Sequence, residues 1–139
     1  MTTVLRCVLA TAVAAVVISC STPNSEASFC EASIELQKVD ALSLEVSPSD
    51  DAAARGALTQ TAAQAARVAR EAPLEIRTDA ELVAAFVLAL TNAINNTNFE
   101  DPLERAAAIG ATQEQFKDQL SDAVTNLAAF TARTCSPAP

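Results

Sequence analysis

The sequence after residue 25 is rich in alanine and contains only two glycines, Gly56 and Gly110. Alanine is the best helix former and glycine is among the poorest, so this composition favours helices. No stretch alternates convincingly between apolar and polar residues, which is the pattern of a half-buried strand. The sequence therefore predicts an all-α domain without a sheet.

Apolar residues recur at helical spacing in five segments that are separated by start and stop signals. The predicted helices cover about residues 26–42, 50–71, 78–94, 101–110 and 113–134. In the short fourth segment, Asp101 is the expected N-cap, Pro102 takes the first helical position and Gly110 ends the helix. Thr112 and Gln115 match a capping box that would start the fifth helix. The third segment has the broadest apolar stripe, and we expect it to be the most buried helix.

The first 20 residues, MTTVLRCVLATAVAAVVISC, have the organisation of an export signal. Arg6 is their only charged residue, an apolar run extends from Cys7 to Ile18, and Ser19 is small. The apolar run is shorter than the roughly 20 residues that a membrane-spanning helix needs. We therefore expect an export signal rather than a permanent transmembrane helix.

The end of this run, Val17-Ile18-Ser19-Cys20, resembles the lipobox of bacterial membrane lipoproteins, with Val17 where leucine is commonest. The resemblance implies that residues 1–19 are a lipoprotein signal peptide and that the Cys20 sulfur carries a diacylglycerol. One acyl chain holds a protein only marginally, whereas two or three chains on one cysteine, palmitate among them, give a firm anchor. The alternative is an ordinary signal peptide that is cut elsewhere, with Cys20 incidental.

The resemblance divides the chain into the signal peptide and three further parts. Residues 20–27 would be a lipidated tether, residues 28–136 a helical bundle domain and residues 137–139 a tail. This places the protein at the cell membrane, lipid-anchored and facing the extracytoplasmic side. The chain also resembles small secreted helical proteins of actinobacterial type, in Phe29-Cys30, Ala72-Pro73-Leu74-Glu75-Ile76 and the late Cys135. That similarity implies a helical domain and no particular activity.

Two cysteines besides Cys20 would remain after the signal is removed, Cys30 near the start of the domain and Cys135 near its end. An exported chain with two such cysteines suggests a disulfide; two free buried thiols are the alternative. The loop of about 100 residues between them would be worth up to roughly 4.7 kcal/mol in the chain-entropy model. Because short connections favour antiparallel neighbours, we predict an antiparallel four-helix bundle with one short extra helix, stapled by this disulfide.

The residue inventory excludes several kinds of chemistry. The sequence contains no histidine, so Ser-His-Asp and Cys-His catalysis are impossible within this chain. It has no glycine-rich phosphate loop, and haem is disfavoured without His or Tyr. Loss of Arg6 with the signal would change the formal net charge from −8 to −9, which opposes binding to nucleic acid. We expect no enzymatic activity, no cofactor, no metal and no nucleic-acid partner.

Acidic and polar clusters have structural interpretations that we prefer to functional ones. The carboxylate groups are Asp50-Asp51, Glu100-Asp101-Glu104 and Asp118-Asp122, all expected to be helix caps or solvated faces. The loop 95–101 offers oxygen atoms for Ca²⁺ but lacks the glycine and distal glutamate of an EF-hand, so a polar loop is expected. Phe99 in that loop either folds back onto the bundle, which we favour, or is an exposed contact residue.

Two functional hypotheses follow. The first is a non-enzymatic lipoprotein, anchored through Cys20, that binds or scaffolds an unidentified protein partner in the cell envelope through a patch near Phe99 or the segment 42–46. The second is a helical carrier or sensor that binds a small apolar ligand between helices. An enclosed apolar pocket of about 300 Å³ or more would favour the second hypothesis, and a dry interior would favour the first.

Overall fold

The computed structural model describes residues 26–38, 51–98 and 100–135. Within these ranges helices are the only regular secondary structure and no strand is present, which confirms the all-α prediction. The helices are α1 Glu26–Lys38, α2 Asp51–Glu71, α3 Arg77–Asn95 and α4 Pro102–Thr134. The predicted lipidation site Cys20, the segment 42–46 and Phe99 lie outside the described residues.

α4 is one continuous helix of 33 residues, so the prediction of a short extra helix ending at Gly110 is wrong. Gly110 is exposed and has no positive φ. A glycine within a helix costs only about 1 kcal/mol relative to alanine, and the helix-forming residues on both sides offset that cost. Thr112 does not cap a new helix, because its hydroxyl donates to the Ala108 carbonyl at 3.0 Å within α4. The capping-box prediction is therefore also wrong.

The start of α4 agrees with the sequence prediction. The Asp101 carboxylate accepts hydrogen bonds from the backbone N–H groups of Leu103 and Glu104, both at 3.0 Å. Pro102 follows as the first helical residue, where its missing N–H is not needed. The Glu104 carboxylate reaches back and accepts from the Asn98 backbone N–H at 3.0 Å. The two bonds to Asp101 satisfy backbone donors that α4 itself leaves unpaired, and the Glu104 bond links the preceding turn to the helix.

The main hydrophobic core lies where the first turns of α1 meet the last turns of α2 and α4. Phe29 and Phe130 meet edge to face there, with ring centroids 5.5 Å apart. The predicted disulfide is present: Cys30 and Cys135 join α1 to the end of α4, with their Cα atoms 5.2 Å apart. The buried members of this core are Phe29, Ala32, Val68, Ala69, Ala72, Ile76, Ala80 and Phe130.

Polar contacts connect α2 to α3 at the other end of the domain. The Arg55 guanidinium donates to the backbone carbonyls of Ile94 and Thr97, both at 3.1 Å. The buried Thr91 hydroxyl lies 3.3 Å from the Leu58 carbonyl. Because the last carbonyls of a helix have no partner within it, Arg55 stabilises the end of α3.

Among the described residues, α2 rather than α3 has the largest number of buried positions of any helix, so the expectation that the third helix is the most buried is wrong. α3 buries only Ala80, Thr91 and Ile94. Its apolar stripe is only partly covered because, among the described residues, α1 packs against α2 and α4 and not against α3. The residues that α2 buries are Ala54, Leu58, Thr61, Ala62, Ala65, Val68 and Ala69.

Candidate ligand-binding groove

A groove of about 630 Å³ opens between α1 and α4, beside the disulfide. Its walls are mostly apolar and include Ile34 and Leu36 of α1, Val83 of α3, and Val124 and Leu127 of α4. The groove is open to solvent on one side, in contrast to the enclosed pocket that the sequence hypothesis specified. Its volume falls within the range of roughly 300–1,000 Å³ that is typical of small-molecule sites.

Small side chains on α4 leave this space unfilled. Ala128, Thr131 and Ala132 succeed one another along the wall of the groove. α1 is joined to the end of α4 by the Cys30–Cys135 bond, but elsewhere the two helices pack only lightly. The groove therefore follows from short side chains on one helix and the limited contact of its neighbour.

Ser33 is one of the residues along the groove, and its hydroxyl is buried without a hydrogen-bond partner in the described part of the chain. The residue is 6% exposed, and its Oγ atom has no partner among the described residues. Hydroxyls elsewhere in the helices, such as those of Thr61 and Thr131, donate to the carbonyl four residues earlier. A buried hydroxyl left unpaired costs about 1–3 kcal/mol. The other buried atom of this kind in the described ranges, Gln64 Oε1, does not line the groove.

No charged side chain lines the groove among the residues that the structure describes. The ion pair between Arg67 and Glu31, at 3.3 Å, joins α2 to α1 without lining the groove; the Glu31 side chain is exposed and that of Arg67 is partly buried. A carboxylate, phosphate or ammonium group in the groove would therefore lose water without gaining an opposite charge, which is unfavourable. The groove thus suits uncharged and mostly apolar molecules.

A second groove of about 460 Å³ lies between α3 and α4 and shares Val124 with the first. Phe86 and Leu120 contribute its apolar lining. Lys117 also lines it, and its ammonium group pairs with the Glu114 carboxylate one turn away. Because Val124 belongs to both grooves, together they follow a long stretch of α4.

The structure assigns the polar loop candidates to helix capping and turn formation. Asp101 and Glu104 accept backbone N–H bonds at the start of α4, as described above. The Asn98 side-chain oxygen accepts from the Glu100 backbone N–H at 3.1 Å. Of the four residues that the sequence offered as Ca²⁺ ligands, Asn96, Asn98, Glu100 and Asp101, the side chains of Asn98 and Asp101 thus have backbone partners. No group of three or more metal-ligating side chains occurs in residues 26–38, 51–98 and 100–135.

The other residues that the sequence offered as candidates lie at different places in the domain. Cys30 and Cys135 are brought together, and Cys135 also lines the groove, which sequence reasoning did not foresee. Asp118 and Asp122 are exposed on α4. Ser33 was missed, although it lies within the helical stripe of Phe29 and Ala32. A polar residue at a buried helical position was the available signal.

Comparison with known proteins does not assign this chain to a family. No protein-family model, curated protein or solved structure matches it. Among the described helices, none is both long and apolar enough to cross a membrane. A functional hypothesis therefore has to rest on the groove and on the sequence patterns.

Proposed function

We propose that this chain is a lipid-anchored extracytoplasmic protein whose helical domain binds a small apolar ligand in the groove between α1 and α4. The observation that carries the proposal is an apolar groove of about 630 Å³. Removing apolar surface from water favours binding by about 25 cal/mol per Å². The groove is open rather than enclosed, so it is its volume and apolar lining that support the ligand-binding hypothesis.

The location outside the cytoplasm and the anchor are parts of this proposal. The lipobox resemblance at Val17–Cys20 supports an acylated Cys20. The Cys30–Cys135 disulfide supports the compartment, because structural disulfides persist in oxidising surroundings and are rare in the cytosol. Labelling of cells with radioactive palmitate should mark the wild-type chain and not the Cys20→Ser variant; an unlabelled wild-type chain would contradict the anchor.

The proposed domain is an antiparallel bundle. Two pairs of contacts support this arrangement. Arg55, near the start of α2, bonds to the carbonyls of Ile94 and Thr97, at and just beyond the end of α3. Phe29, near the start of α1, contacts Phe130, near the end of α4. Each pair joins the beginning of one helix to the end of another.

The proposed role is non-enzymatic. The sequence has no histidine to serve as the usual general base. Cys30 and Cys135 are joined in a disulfide and so offer no thiolate nucleophile. The carboxylate of Asp101 has a capping role. These observations support a binding protein.

Ala128→Leu tests the groove against the matched control Ala129→Leu. Both alanines are exposed on α4, but only Ala128 lines the groove. Nile red, an uncharged apolar dye, would be titrated into the exported full chain carrying Cys20→Ser, so that no acyl chain competes. We expect saturable binding, a loss of about tenfold or more in Ala128→Leu, and no change in Ala129→Leu. Absence of binding, or equal binding by all three proteins, would contradict the proposed function.

A protein partner in the cell envelope is the second candidate, and two exposed leucines favour it. Leu74, in the α2–α3 connection, and Leu103, at the start of α4, are each 81% exposed. Leu103 also follows the candidate contact residue Phe99 by four positions. Crosslinking in intact cells should yield a specific adduct that Leu103→Ser abolishes and Leu74→Ser retains. An adduct that survives both substitutions would argue against this contact.

A further inference from the structure

We infer that the Cys30–Cys135 disulfide is a redox switch for the groove between α1 and α4. The oxidised protein holds an apolar ligand, and reduction of the bond by a dithiol releases it. The inference rests on the proposed function, because it concerns the regulation of the same groove. It is carried by the position of the bond, by its exposure and by the way in which α1 is attached to the other helices.

The disulfide lies at the groove itself. Cys135, the C-cap residue of α4, is one of the lining residues. Its partner Cys30 precedes Ser33, the first lining residue of α1, by about one helical turn. The bond therefore sets the spacing of the two helices at one end of the groove, and a ligand that fills this end contacts Cys135.

α1 is attached to α4 and to α2 by different contacts. The disulfide and the edge-to-face contact of Phe29 with Phe130 both join the first two turns of α1 to the end of α4. The later turns of α1, which include residues 33–37, line the groove opposite α4. The ion pair of Glu31 with Arg67, at 3.3 Å, joins α1 to α2 instead. Without the disulfide, α1 can remain on α2 while its distance from α4 changes.

The length of α1 makes this helix the movable wall of the groove. It is the shortest of the four described helices, with 13 residues, whereas α4 has 33. A helix of about this length is marginal in water on its own, so its position depends on contacts with its neighbours. Because ligand binding here depends on the apolar area that both walls remove from water, a shift of α1 lowers the affinity of the groove.

The disulfide is accessible to a reductant. Cys30 and Cys135 are both partly exposed, and exposed disulfides are more labile than buried structural ones. A thiolate of the dithiol attacks one sulfur and forms a mixed disulfide, and its second thiol then displaces the protein. Two electrons and two protons thus pass to the protein, which gains two free thiols, while the reductant becomes a cyclic disulfide.

A switch of this kind is reciprocal. If the oxidised form binds a ligand more tightly than the reduced form, the ligand must favour the oxidised form by the same factor. A disulfide that only stabilises the fold, with no effect on the groove, shows no such coupling. The ratio of reduced to oxidised dithiol at which half of the protein is reduced is therefore a direct readout of the switch.

Nile red titrations compare the oxidised and the dithiothreitol-reduced forms of the exported full chain carrying Cys20→Ser, in which Cys30 and Cys135 are the remaining cysteines. We expect reduction to weaken binding about tenfold or more, through lost apolar contact, while helical circular dichroism is retained. The Cys30→Ser/Cys135→Ser double variant should bind as weakly as the reduced protein, with or without dithiothreitol. Excess Nile red should raise the half-reduction ratio of the oxidised protein by up to the same factor.

The outcomes separate this inference from the proposed function. If the oxidised protein binds Nile red and the reduced protein or the double variant binds it equally well, the switch is overturned and the groove remains a ligand site. A half-reduction ratio that bound dye leaves unchanged would also overturn the switch. Loss of helical circular dichroism on reduction would show that the bond maintains the fold rather than the groove, with the same consequence. If the oxidised protein binds no dye, the proposed function fails as well.

Discussion

The two ends of the helical domain are stabilised by different kinds of contact. At the disulfide end, around the Cys30–Cys135 bond, Phe29 is 0% exposed and Phe130 is 5% exposed. At the Asp101 end, where α3 ends and α4 begins, the Arg55 guanidinium donates to backbone carbonyls at the end of α3. The Asp101 carboxylate accepts from backbone N–H groups in the first turn of α4. One end thus depends on packing and a covalent link, and the other on the pairing of backbone groups.

This difference predicts how far the destabilising effect of a substitution extends through the domain. A buried aromatic ring contacts several helices, so its loss weakens all of them together. A capping residue satisfies backbone groups within one turn, so its loss mainly frays that turn. We therefore expect the disulfide end to control global unfolding and the Asp101 end to control local opening of helix termini.

The largest effect should come from breaking the disulfide. Cys30 and Cys135 are 105 positions apart, and release of a loop of that length lowers the free energy of unfolding by up to about 4.7 kcal/mol in the chain-entropy model. Urea unfolding followed by circular dichroism, with and without reductant, measures this change. The Cys30→Ser/Cys135→Ser double variant should match the reduced wild type and should not respond to reductant. An unchanged urea midpoint on reduction would contradict the stabilising role of the bond.

The two aromatic pairs provide an internally matched test of the packing difference. Phe29–Phe130 and Phe86–Phe116 both have centroids 5.5 Å apart and near-perpendicular rings, at 73° and 71°. Phe130 is buried, whereas Phe116 is only partly buried. Phe130→Ala should therefore cost about 3–5 kcal/mol in unfolding free energy.

For Phe116→Ala we expect a smaller cost, about 1–3 kcal/mol, because less apolar area is removed from water on folding. The same urea titrations measure both variants. Equal losses for the two substitutions would show that burial does not distinguish the pairs, and the contrast between the regions would then be wrong.

The smallest effect should come from the cap of α4. Asp101→Ala removes the acceptor for the N–H groups of Leu103 and Glu104 and should cost about 1 kcal/mol. Asp101→Asn should retain most of the stability because asparagine also caps well. Amide hydrogen exchange should rise at Leu103 and Glu104 in the alanine variant. Faster exchange at Phe130 as well would indicate that the two ends are not energetically separate.

Local signals in the sequence predicted much of the fold. The start of α4 was predictable because Asp101 and Pro102 act through their own backbone geometry. The disulfide was predictable because few cysteines were available. α2 and α3 begin and end within one residue of their predicted bounds.

Gly110 and Ser33 mark what the sequence could not settle. Judged from the sequence alone, Gly110 is a helix stop signal. In the structure it lies within α4, and a side chain added there would meet nothing within 4 Å. The cost of one glycine in a helix is small compared with the cost of ending a long packed helix. Ser33 looked like an ordinary polar residue of α1. Its isolation depends on how α1 packs against its neighbouring helices, and such tertiary geometry is not encoded in helical periodicity.

The Cα atoms of Cys30 and Cys135 are 5.2 Å apart, so the domain's first and last helices come together at one place. A polypeptide fused before Glu26 and one fused after Cys135 would therefore leave the domain close to each other. Adjacent termini of this kind allow circular permutation. A permutant with a short joining linker and a new opening between residues 96 and 100 would retain all four helices and their neighbours. The order of the helices along the chain is thus separable from their arrangement in space.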